Sequence, residues 1–440
     1  MPKTIVFIGA GSAIFTRRLV RDVLTYPELA DANIRLVDIH RGRLDVAVQC
    51  VEKIVREGNY PATVEAYEDR TLALPGADAV ITTIQVGGEE HLRADLEPPK
   101  KAGVNLYIGD TRGPAGVFRF LRTAPVLQAI VADIEKYAPH AVYLNYTNPM
   151  AMVMGAIQRT SQIRSVGLCH SVQRTAHQLA GWIGADESEI SYVSAGINHQ
   201  AWYLEFTRNG QDAYPQITDA LRDEKLWFEE PVRNDMYRHL GYYVTESSGH
   251  NSEYNPWYRK REDLIRKYID TSTGEQAGYP FLVLKEMEPG QNWREFTFDD
   301  FLNEPVDLAR GDEFASGILN ALIGDGTPFT FNGNTLNKGY IDNLPADSCV
   351  EVPIVTTAEG FTPQAVGALP RHLSILNAVN ANCDDLAIEG YLEKDSEKIF
   401  QSIAFDPLTS AMLSLEEIRD MVREMFDRAR GWLPEYQPLS

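Results

Sequence analysis

Cys169 and His170 stand where a short apolar run meets a helical pattern, in the stretch RSVGLCHSVQRTAHQLAGWIGAD at residues 164–186. A cysteine beside a histidine can be a nucleophile with its base, half of a metal site, or a buried thiol beside a helix cap. His199 follows in the segment GINHQ. A cysteine and a histidine from two strands could hold one divalent ion and leave positions open for substrate.

Polar residues also follow the other predicted strands. The segments are QVGGEE, YIGDTRGPAG and NYTNP, besides the CH pair at Cys169. In open α/β sheets ligands bind outside the carboxyl ends of the strands, so we predict that these segments border one site. Each also has a structural explanation, because Asn148 before Pro149 could start a helix and Cys169 could be a buried small side chain.

An alternation of apolar runs and helical patterns must position these residues. The runs are KTIVFIGAG, NIRLVDIH, ATVEAYED, DAVITTIQV, AVYLNYTNP and RSVGLC. Continuous apolar runs are typical of parallel strands that helices cover on both faces. They predict an α/β fold, with a doubly wound Rossmann-type NAD-binding domain over residues 1–170. For residues 171–440 we predict an α+β catalytic domain that carries the substrate site and ends in helices.

The loop GAGSAIF after the first strand has the features of a dinucleotide site. Gly9 and Gly11 form a G-x-G where the chain must turn tightly and let a pyrophosphate approach a helix N-terminus. Ile14 occupies the place of the usual third glycine. Asp38 ends the second strand, about 20 residues on, as a ribose-binding acid does. An acid there repels a 2′-phosphate, so we predict NAD rather than NADP; a plain turn and a helix-capping Asp38 are the alternatives.

Composition narrows the class of protein. The 440 residues carry a formal charge of −21, which argues against nucleic acid or an anionic membrane as partner. The cysteines lack a CxxC spacing, so neither a disulfide framework nor a structural zinc site is indicated. We find no apolar run long enough to span a bilayer and no room for a signal peptide before the first strand. A reduced, cytoplasmic protein is therefore expected.

Several segments together resemble glycoside hydrolase family 4. In chain order they are GAGS, VDI, GDTRGPAG, LNYTNPMAM, GLCHSVQ, AGINHQAWYLE, GYYVTESSGHNSEYNPW and YIDNLPADSCVEVP. The similarity spans nearly the whole chain. The CHSVQ wording is most similar to the α-galactosidases of that family, of the melibiase type. NYTNP is less specific, because lactate and malate dehydrogenases carry similar asparagines, and the first domain is expected to be dehydrogenase-like.

The resemblance implies α-galactoside hydrolysis that depends on NAD, an exception among glycosidases. In the family mechanism NAD⁺ oxidises the sugar C3 hydroxyl, a base removes the C2 proton, and the C1–O bond breaks by elimination. Water then adds and NADH reduces C3 again. A divalent cation, usually Mn²⁺, binds the C2 and C3 oxygens as a Lewis acid. Relatives are homo-oligomers, so a dimer or tetramer is expected.

The resemblance also implies roles for individual residues. Cys169 and His199 match the metal ligands, so Cys169 is a ligand rather than a nucleophile. His170 matches the residue that protonates the leaving oxygen. The binding residues that it implies are Asn148, Asp110 and Arg119 for the substrate, and Gly9, Gly11, Ser12 and Asp38 for NAD.

The base that removes the C2 proton departs from the family pattern. Other branches carry a tyrosine or an aspartate where this chain has Ser248. The candidates are Tyr254, Glu253 and His250. We favour Tyr254, because a cation near the sugar lowers the basicity required and can stabilise a tyrosinate. Packing of Tyr254 beside Trp257 is the structural alternative.

Arg112 is a second departure, because relatives have a small or aliphatic residue between DT and GP. An arginine that faces the substrate could pair bidentately with a carboxylate, which keeps an α-galacturonidase or α-glucuronidase open. Alternatively, Arg112 points to solvent or to the cofactor phosphates. The CHSVQ wording favours a sugar without phosphate. An ordinary NAD-dependent hydroxy-acid dehydrogenase would instead produce net NADH without metal, and a non-catalytic NAD sensor would lack activity. The pair Cys169 and His199 disfavours both.

Overall fold

A computed structural model gives the structure of residues 1–273, 298–303, 305–437 and 439. The strands in these ranges are β1 (Thr4–Ile8), β2 (Asn33–Val37), β3 (Thr63–Tyr67), β4 (Ala79–Thr82), β5 (Val142–Asn145), β6 (Ser165–Gly167), β7 (Ile190–Ile197), β8 (Gln200–Arg208), β9 (Gln211–Asp212), β10 (Phe329–Leu336), β11 (Cys349–Thr357) and β12 (Gly360–Pro363). They form one sheet in the order β3-β2-β1-β4-β5-β6-β10-β11-β7-β8-β9, and β12 pairs with β11.

The first six strands are parallel, and their order is that of a doubly wound dinucleotide-binding domain. Neighbouring residues of one strand enter different cores. Val6 and Val80 pack on one face of the sheet, whereas Phe7 and Ile81 pack on the other. Strands that are buried on both faces need apolar residues at consecutive positions, which is the pattern in the sequence. The predicted α/β fold is confirmed.

The helices of the described ranges are α1 (Ala13–Leu24), α2 (Arg41–Glu57), α3 (Arg70–Ala73), α4 (Glu89–Ala102), α5 (Gly113–Tyr137), α6 (Met150–Thr160), α7 (Ser171–Trp182), α8 (Tyr214–Ala220), α9 (Glu224–Glu229), α10 (Pro231–Leu240), α11 (Ser248–Glu253), α12 (Glu262–Tyr268), α13 (Phe298–Asn303), α14 (Phe314–Ile323), α15 (Arg371–Glu393), α16 (Ser396–Ala404), α17 (Pro407–Met412) and α18 (Leu415–Ala429). Short 3₁₀ helices cover Pro27–Leu29 and Glu187–Glu189.

The second half of the chain extends the same sheet with antiparallel strands. β10 pairs with β6 where Asn334 lies opposite Gly167. β11 then joins β7 where Glu351 lies opposite Gly196. The predicted boundary at residue 170 therefore falls between β6 and α7, inside a continuous sheet. The division into an NAD-binding half and a substrate half stays a prediction.

Helix α5 has the length and apolar composition of a membrane span, although no such run was expected from the sequence. It is 25 residues long, and 61% of its most apolar stretch is buried inside the protein. Val117, Leu121 and Leu127 of this helix belong to one core of the sheet. A helix buried in a protein core needs the same composition as a span, so this packing accounts for its apolar residues.

A tight hairpin joins β7 to β8 and carries the predicted metal ligand His199. Ile197 pairs with Gln200, so Asn198 and His199 form a two-residue loop. His199, the second residue of this loop, has a φ of +63°, and a positive φ at this position is a feature of type II turns. The RNG segment forms a separate turn that joins β8 to β9. The earlier turn brings His199 to the tip of its hairpin.

Candidate active site

Three possible metal ligands meet beyond the end of β6. The Cys169 Sγ atom lies 3.3 Å from Nε2 of His199, and Nε2 lies 3.6 Å from a carboxylate oxygen of Glu246. One ligand atom from each of the three residues falls within 4.8 Å of the other two. Sulfur, nitrogen and oxygen donors at this spacing suit a divalent ion that keeps open positions for substrate.

Glu246 was not predicted from the sequence as a ligand. Val244 forms a bridge with Trp202 of β8, and the amide of Thr245 donates to the Ala201 carbonyl at 2.8 Å. The chain then turns at Glu246 with a φ of +69°, which directs the carboxylate toward the hairpin tip. The sequence signal was an acid inside TESSGHNSEYNPW, the segment that was searched for the base.

Burial controls the protonation of these groups. Burial lowers the pKa of His199 to about 4, although the charge of Glu246 raises it. The imidazole is therefore neutral at pH 7, as metal binding requires. Burial would raise the pKa of Glu246, but the His199 and His250 rings lower it to about 2. Burial raises the pKa of the Cys169 thiol, and two nearby glutamates raise it further. An activated nucleophile needs a lowered pKa, so this environment does not suit a nucleophilic Cys169. A metal ligand must also be a thiolate, and a bound cation would supply the charge that stabilises it.

Tyr254 contacts the other ring nitrogen of His199. Its hydroxyl lies 3.2 Å from Nδ1, and the Thr111 hydroxyl lies 3.4 Å from the same atom. Tyr254 is completely buried, and burial raises its pKa well above the usual range. A buried phenol against a ligand imidazole orients that ring. The contact with His199 adds a possible positioning role, and the role of Tyr254 as the base stays a prediction.

His250 connects Glu246 with the predicted substrate residues. Its Nδ1 lies 3.3 Å from Glu246, and its Nε2 lies 3.6 Å from Asp110. Asp110 also pairs with Arg119 at 3.4 Å. Burial would lower the pKa of His250, but Glu246 and Asp110 raise it to about 9, so this ring is a cation at neutral pH. An imidazolium held between two carboxylates is not available as a base.

Glu253, the third candidate base, is also occupied. Its carboxylate accepts the backbone N–H groups of Tyr107, Ile108 and Gly109 at 2.8, 3.2 and 3.1 Å. The side chain is buried under this segment. Glu253 thereby fixes the loop that leads directly into Asp110, which is a structural role.

His170 lies beside Cys169, at the start of α7. Its side chain is 33% exposed, so a ligand can reach the ring. Nδ1 lies 3.9 Å from the buried carboxylate of Glu313, and the ring centroid lies 6.5 Å from that of Phe15 in α1. His170 therefore stands between the candidate metal ligands and the first helix after the glycine loop.

Asn148 does not cap a helix, because α6 begins at Met150 and Pro149 occupies the N-cap position. The Asn148 Oδ1 atom is buried and accepts no hydrogen bond from any described residue. An unpartnered acceptor at the carboxyl end of β5 fits a ligand hydroxyl. Asn148 follows β5, which neighbours β6 in the sheet, and Cys169 follows β6.

The glycine loop lies at the same edge of the sheet and fits a dinucleotide. Gly9 has a φ of +88°, and a Cβ atom there would lie 2.7 Å from the Thr83 carbonyl oxygen. The Gly11 amide donates to the Asp38 carboxylate at 2.8 Å, and His40 donates to the other oxygen at 2.8 Å. Ser12 stands at the N-cap of α1 without a side-chain cap bond. The predicted cofactor residues are thus brought together.

Arg112 faces neither solvent nor the glycine loop. Its NH1 group lies 2.6 Å from the Asp384 carboxylate, and both side chains are buried. Its NH2 group donates to the Asn198 carbonyl at 3.3 Å. Asp384 and the Asn198 carbonyl therefore already engage both terminal nitrogens of Arg112.

Comparison with known proteins identifies the family. Residues 4–184 match the family 4 glycosyl hydrolase model, and residues 194–409 match the model of its C-terminal domain. An alpha-galactosidase of Bacillus subtilis is 39% identical over 99% of this chain and 100% of its own length. An alpha-galactosidase of Rhizobium meliloti is 36% identical over 98% of this chain and 89% of its own length.

A solved structure shares the fold. A 6-phospho-alpha-glucosidase from gut microorganisms, in complex with NAD and Mn²⁺, superposes with a TM-score of 0.80 at 18% identity, over 99% of this chain and 100% of that one. At this level of identity, the similarity shows a shared fold only. Both family models match in order and together cover most of the sequence. The chain therefore belongs to family 4 of the glycosyl hydrolases.

Proposed function

We propose that this protein hydrolyses α-galactosides with NAD and a divalent cation, Mn²⁺, as cofactors. The observation that carries the proposal is the position of the Cys169, His199 and Glu246 donors at the same sheet edge as the Gly9–Ser12 loop. A hydride carrier and a Lewis acid can act on one sugar ring only when their sites adjoin. Relatives named alpha-galactosidase, at 39% and 36% identity, support the choice of sugar.

When bound, NAD supplies hydride transfer at the sugar C3 carbon and the cation supplies Lewis acidity. The protein's own groups then bind and protonate the sugar. Asn148 accepts a sugar hydroxyl through its unpartnered Oδ1 atom. His170, partly exposed beside Cys169, gives a proton to the departing glycosidic oxygen. Asp110 and Arg119 form an ion pair, and we assign this pair to substrate binding.

Tyr254 has a different part in the proposal from the one predicted. Its hydroxyl is 3.2 Å from Nδ1 of His199, while Nε2 of the same ring faces Cys169. The second ring nitrogen of a metal-bound histidine is commonly fixed by an outer partner. We assign Tyr254 to this role, as the residue that holds His199 in its ligand orientation.

The contacts of Arg112 favour a neutral sugar over a uronide. A uronide carboxylate needs a cation that is free to pair with it. Arg112 is already paired with Asp384 at 2.6 Å, away from the open part of the site. Arg119 is paired with Asp110. We therefore prefer the α-galactoside to the α-galacturonide.

Compartment and assembly also belong to the proposal. All four cysteines are free thiols, which is typical of proteins in a reducing compartment, so we propose the cytoplasm. Ile375 and Val379, exposed one turn apart on α15, support a homo-oligomer because apolar side chains at a helix surface favour association. Light scattering of the purified protein measures its assembly.

The test of the activity is p-nitrophenol release from its α-galactoside by protein stripped of metal and cofactor. NAD⁺ and Mn²⁺ are added separately and together, in the presence of a reductant, and the α-galacturonide is run in parallel. We expect turnover only with both additions, no net NADH, and the galactoside as the better substrate. Hydrolysis that is indifferent to NAD⁺ would contradict the proposed chemistry. A better uronide would contradict the assignment of the sugar.

A further inference from the structure

A buried polar layer lies between the candidate metal site and the long helix α15. Its members come from α15, from the hairpin around His199 and from the GDTRGPAG segment. They are Arg112, Asn198, Gln200, Tyr254, Asn377, Asn380 and Asp384. Each is buried, and each has a hydrogen bond or ion pair to another member of the layer, apart from the Asn198 side chain.

The layer holds the backbone on both sides of His199. Arg112 donates through NH2 to the carbonyl of Asn198 at 3.3 Å. Asn377 of α15 donates to the carbonyl of Gln200 at 2.7 Å. His199 stands between these two carbonyls in a two-residue loop with positive φ. Its backbone is therefore fixed from the α15 side, and its ring can vary only about the side-chain torsions.

The same layer fixes the outer partner of the His199 ring. The guanidinium of Arg112 lies over the Tyr254 ring at 5.5 Å, and Asn380 donates to the Tyr254 carbonyl at 3.3 Å. The Tyr254 hydroxyl then meets Nδ1 of His199 at 3.2 Å. Arg112 thus acts on His199 by two routes, through the loop backbone and through the tyrosine.

Asp384 makes this arrangement of Arg112 possible. It pairs with NH1 at 2.6 Å and compensates a buried cation that would otherwise be costly. The fork of the guanidinium lets one residue bind Asp384 and the Asn198 carbonyl at once. A lysine would offer a single point charge and could not span both acceptors in the same way.

We propose that the Arg112–Asp384 pair is a positioning device for the metal centre, which presets His199 for ion binding. This inference rests on the proposed function, because it takes Cys169, His199 and Glu246 as the Mn²⁺ ligands. Arg112 touches neither the ion nor the sugar and acts through His199 and Tyr254. Loss of outer partners of a ligand lowers metal affinity by about 10- to 100-fold.

The test is Mn²⁺ affinity by isothermal titration of the full-length protein, with thermal unfolding of the metal-free protein beside it. The paired variant Arg112→Met with Asp384→Leu replaces the ion pair with apolar side chains and leaves no unpaired charge. We expect Mn²⁺ affinity to fall about 10- to 100-fold while the metal-free protein stays folded. Arg112→Lys should fall in between, and it carries the same test if the paired variant does not fold.

The neighbouring pair Arg159–Asp385 is the matched control. Asp385 follows Asp384 on α15, but its partner Arg159 belongs to α6 and Asp385 also accepts from Ser348. Arg159→Met with Asp385→Leu should leave Mn²⁺ affinity unchanged. Equal weakening by both pairs, or wild-type affinity in both Arg112 variants, overturns the inference alone. No Mn²⁺ binding by the wild-type protein would instead remove the proposed metal site, and the inference with it.

Discussion

The Cys169 Sγ atom lies 3.3 Å from Nε2 of His199, although β10 and β11 separate their strands in the sheet. Both residues stand beyond the ends of regular strands, where the chain can bend toward a common point. Cys169 follows the last residue of β6 by two positions, and His199 occupies the tip of the β7–β8 hairpin. The geometry of the site therefore depends on the contacts that hold these segments beyond the strand ends. Each of these contacts can be tested by a separate substitution.

Glu246 is expected to bind the metal directly. Glu246→Gln keeps the size of the side chain and removes the charged oxygen donor that lies 3.6 Å from His199. Mn²⁺ affinity should fall by more than the roughly 10- to 100-fold that the loss of an outer partner costs. Titration of the protein with Mn²⁺ measures this change.

Glu351→Gln is the control for Glu246→Gln. Glu351 is a buried carboxyl on β11 that accepts from Asn334 at 3.3 Å, and it does not belong to the three-donor cluster. Burial raises the pKa of Glu351 to about 8, so Glu351→Gln replaces a mostly neutral side chain at neutral pH. A small change in Mn²⁺ affinity is expected. If both variants weaken binding equally, the loss of a buried carboxyl, and not the loss of a ligand, accounts for the weaker binding.

Gly11 is expected to be required for NAD binding. A Cβ atom there would lie 2.5 Å from the Asp38 carboxylate and 2.8 Å from the Cβ of Arg43. Gly11→Ala must therefore displace Asp38 from the Gly11 amide. Asp38 is the predicted acceptor of a ribose hydroxyl. A hydrogen bond to a charged acceptor is worth roughly 1.5–3 kcal/mol, so NADH affinity, measured by fluorescence titration, should fall at least about tenfold. Gly42→Ala is the control, because its Cβ meets no atom within 4 Å. Equal affinities in the two variants would contradict this role of the loop.

His170 is expected to matter most for poor leaving groups. His170→Asn removes the proton donor beside Cys169 but keeps a polar side chain. General acid catalysis contributes typically 10²- to 10⁴-fold, so the kcat on a methyl α-galactoside should fall by about that factor. The p-nitrophenyl glycoside should lose far less, because p-nitrophenolate leaves without protonation. An equal loss on both glycosides would exclude His170 as the acid.

The fold could be predicted because its signal is local. β1, β4 and β5 are mainly apolar runs between turns, and burial on both faces, as for Phe7 and Val6, requires such a run; the edge strand β3 is largely exposed. The glycine loop with Asp38 was likewise recognisable, because turn geometry and ribose binding restrict the residue types. These features can be recognised from residues that are neighbours in the sequence.

The candidate site could be predicted only in part, because its remaining contacts are distant in sequence. Cys169 and His199 stood out by residue type and by resemblance. Glu246 depends on a positive φ and on a bridge between Val244 and Trp202, which a single sequence does not reveal. The partner of Arg112, Asp384, lies 272 residues further along the chain. The contact between the Tyr254 hydroxyl and His199, a candidate ligand, likewise joins residues that are distant in sequence, and the role of Tyr254 as the base stays a prediction.

Glu313 is expected to make the stability of the metal-free protein depend on pH. Its carboxyl is buried, and one of its oxygens lies 3.9 Å from Nδ1 of His170. Burial and the nearby charge of Asp312 together raise its pKa to about 7, although the charge of Arg174 lowers it. The folded protein therefore keeps a proton that the unfolded chain, with a glutamate pKa of about 4.3, has released.

The sign of the effect follows from this proton. Between about pH 4.3 and 7 the folded state binds more protons than the unfolded state, so the free energy of unfolding falls as the pH rises. The stabilisation is complete below about pH 4.3 and lost above about pH 7, and its size is about 4 kcal/mol. Glu313→Gln should lose this slope and exceed the wild type in stability at pH 8. Urea unfolding at several pH values measures it, with Glu359→Gln, on an exposed turn, as the control. Parallel pH curves for Glu313→Gln and the wild type would show that the carboxyl is ionised in the folded protein and would contradict this prediction.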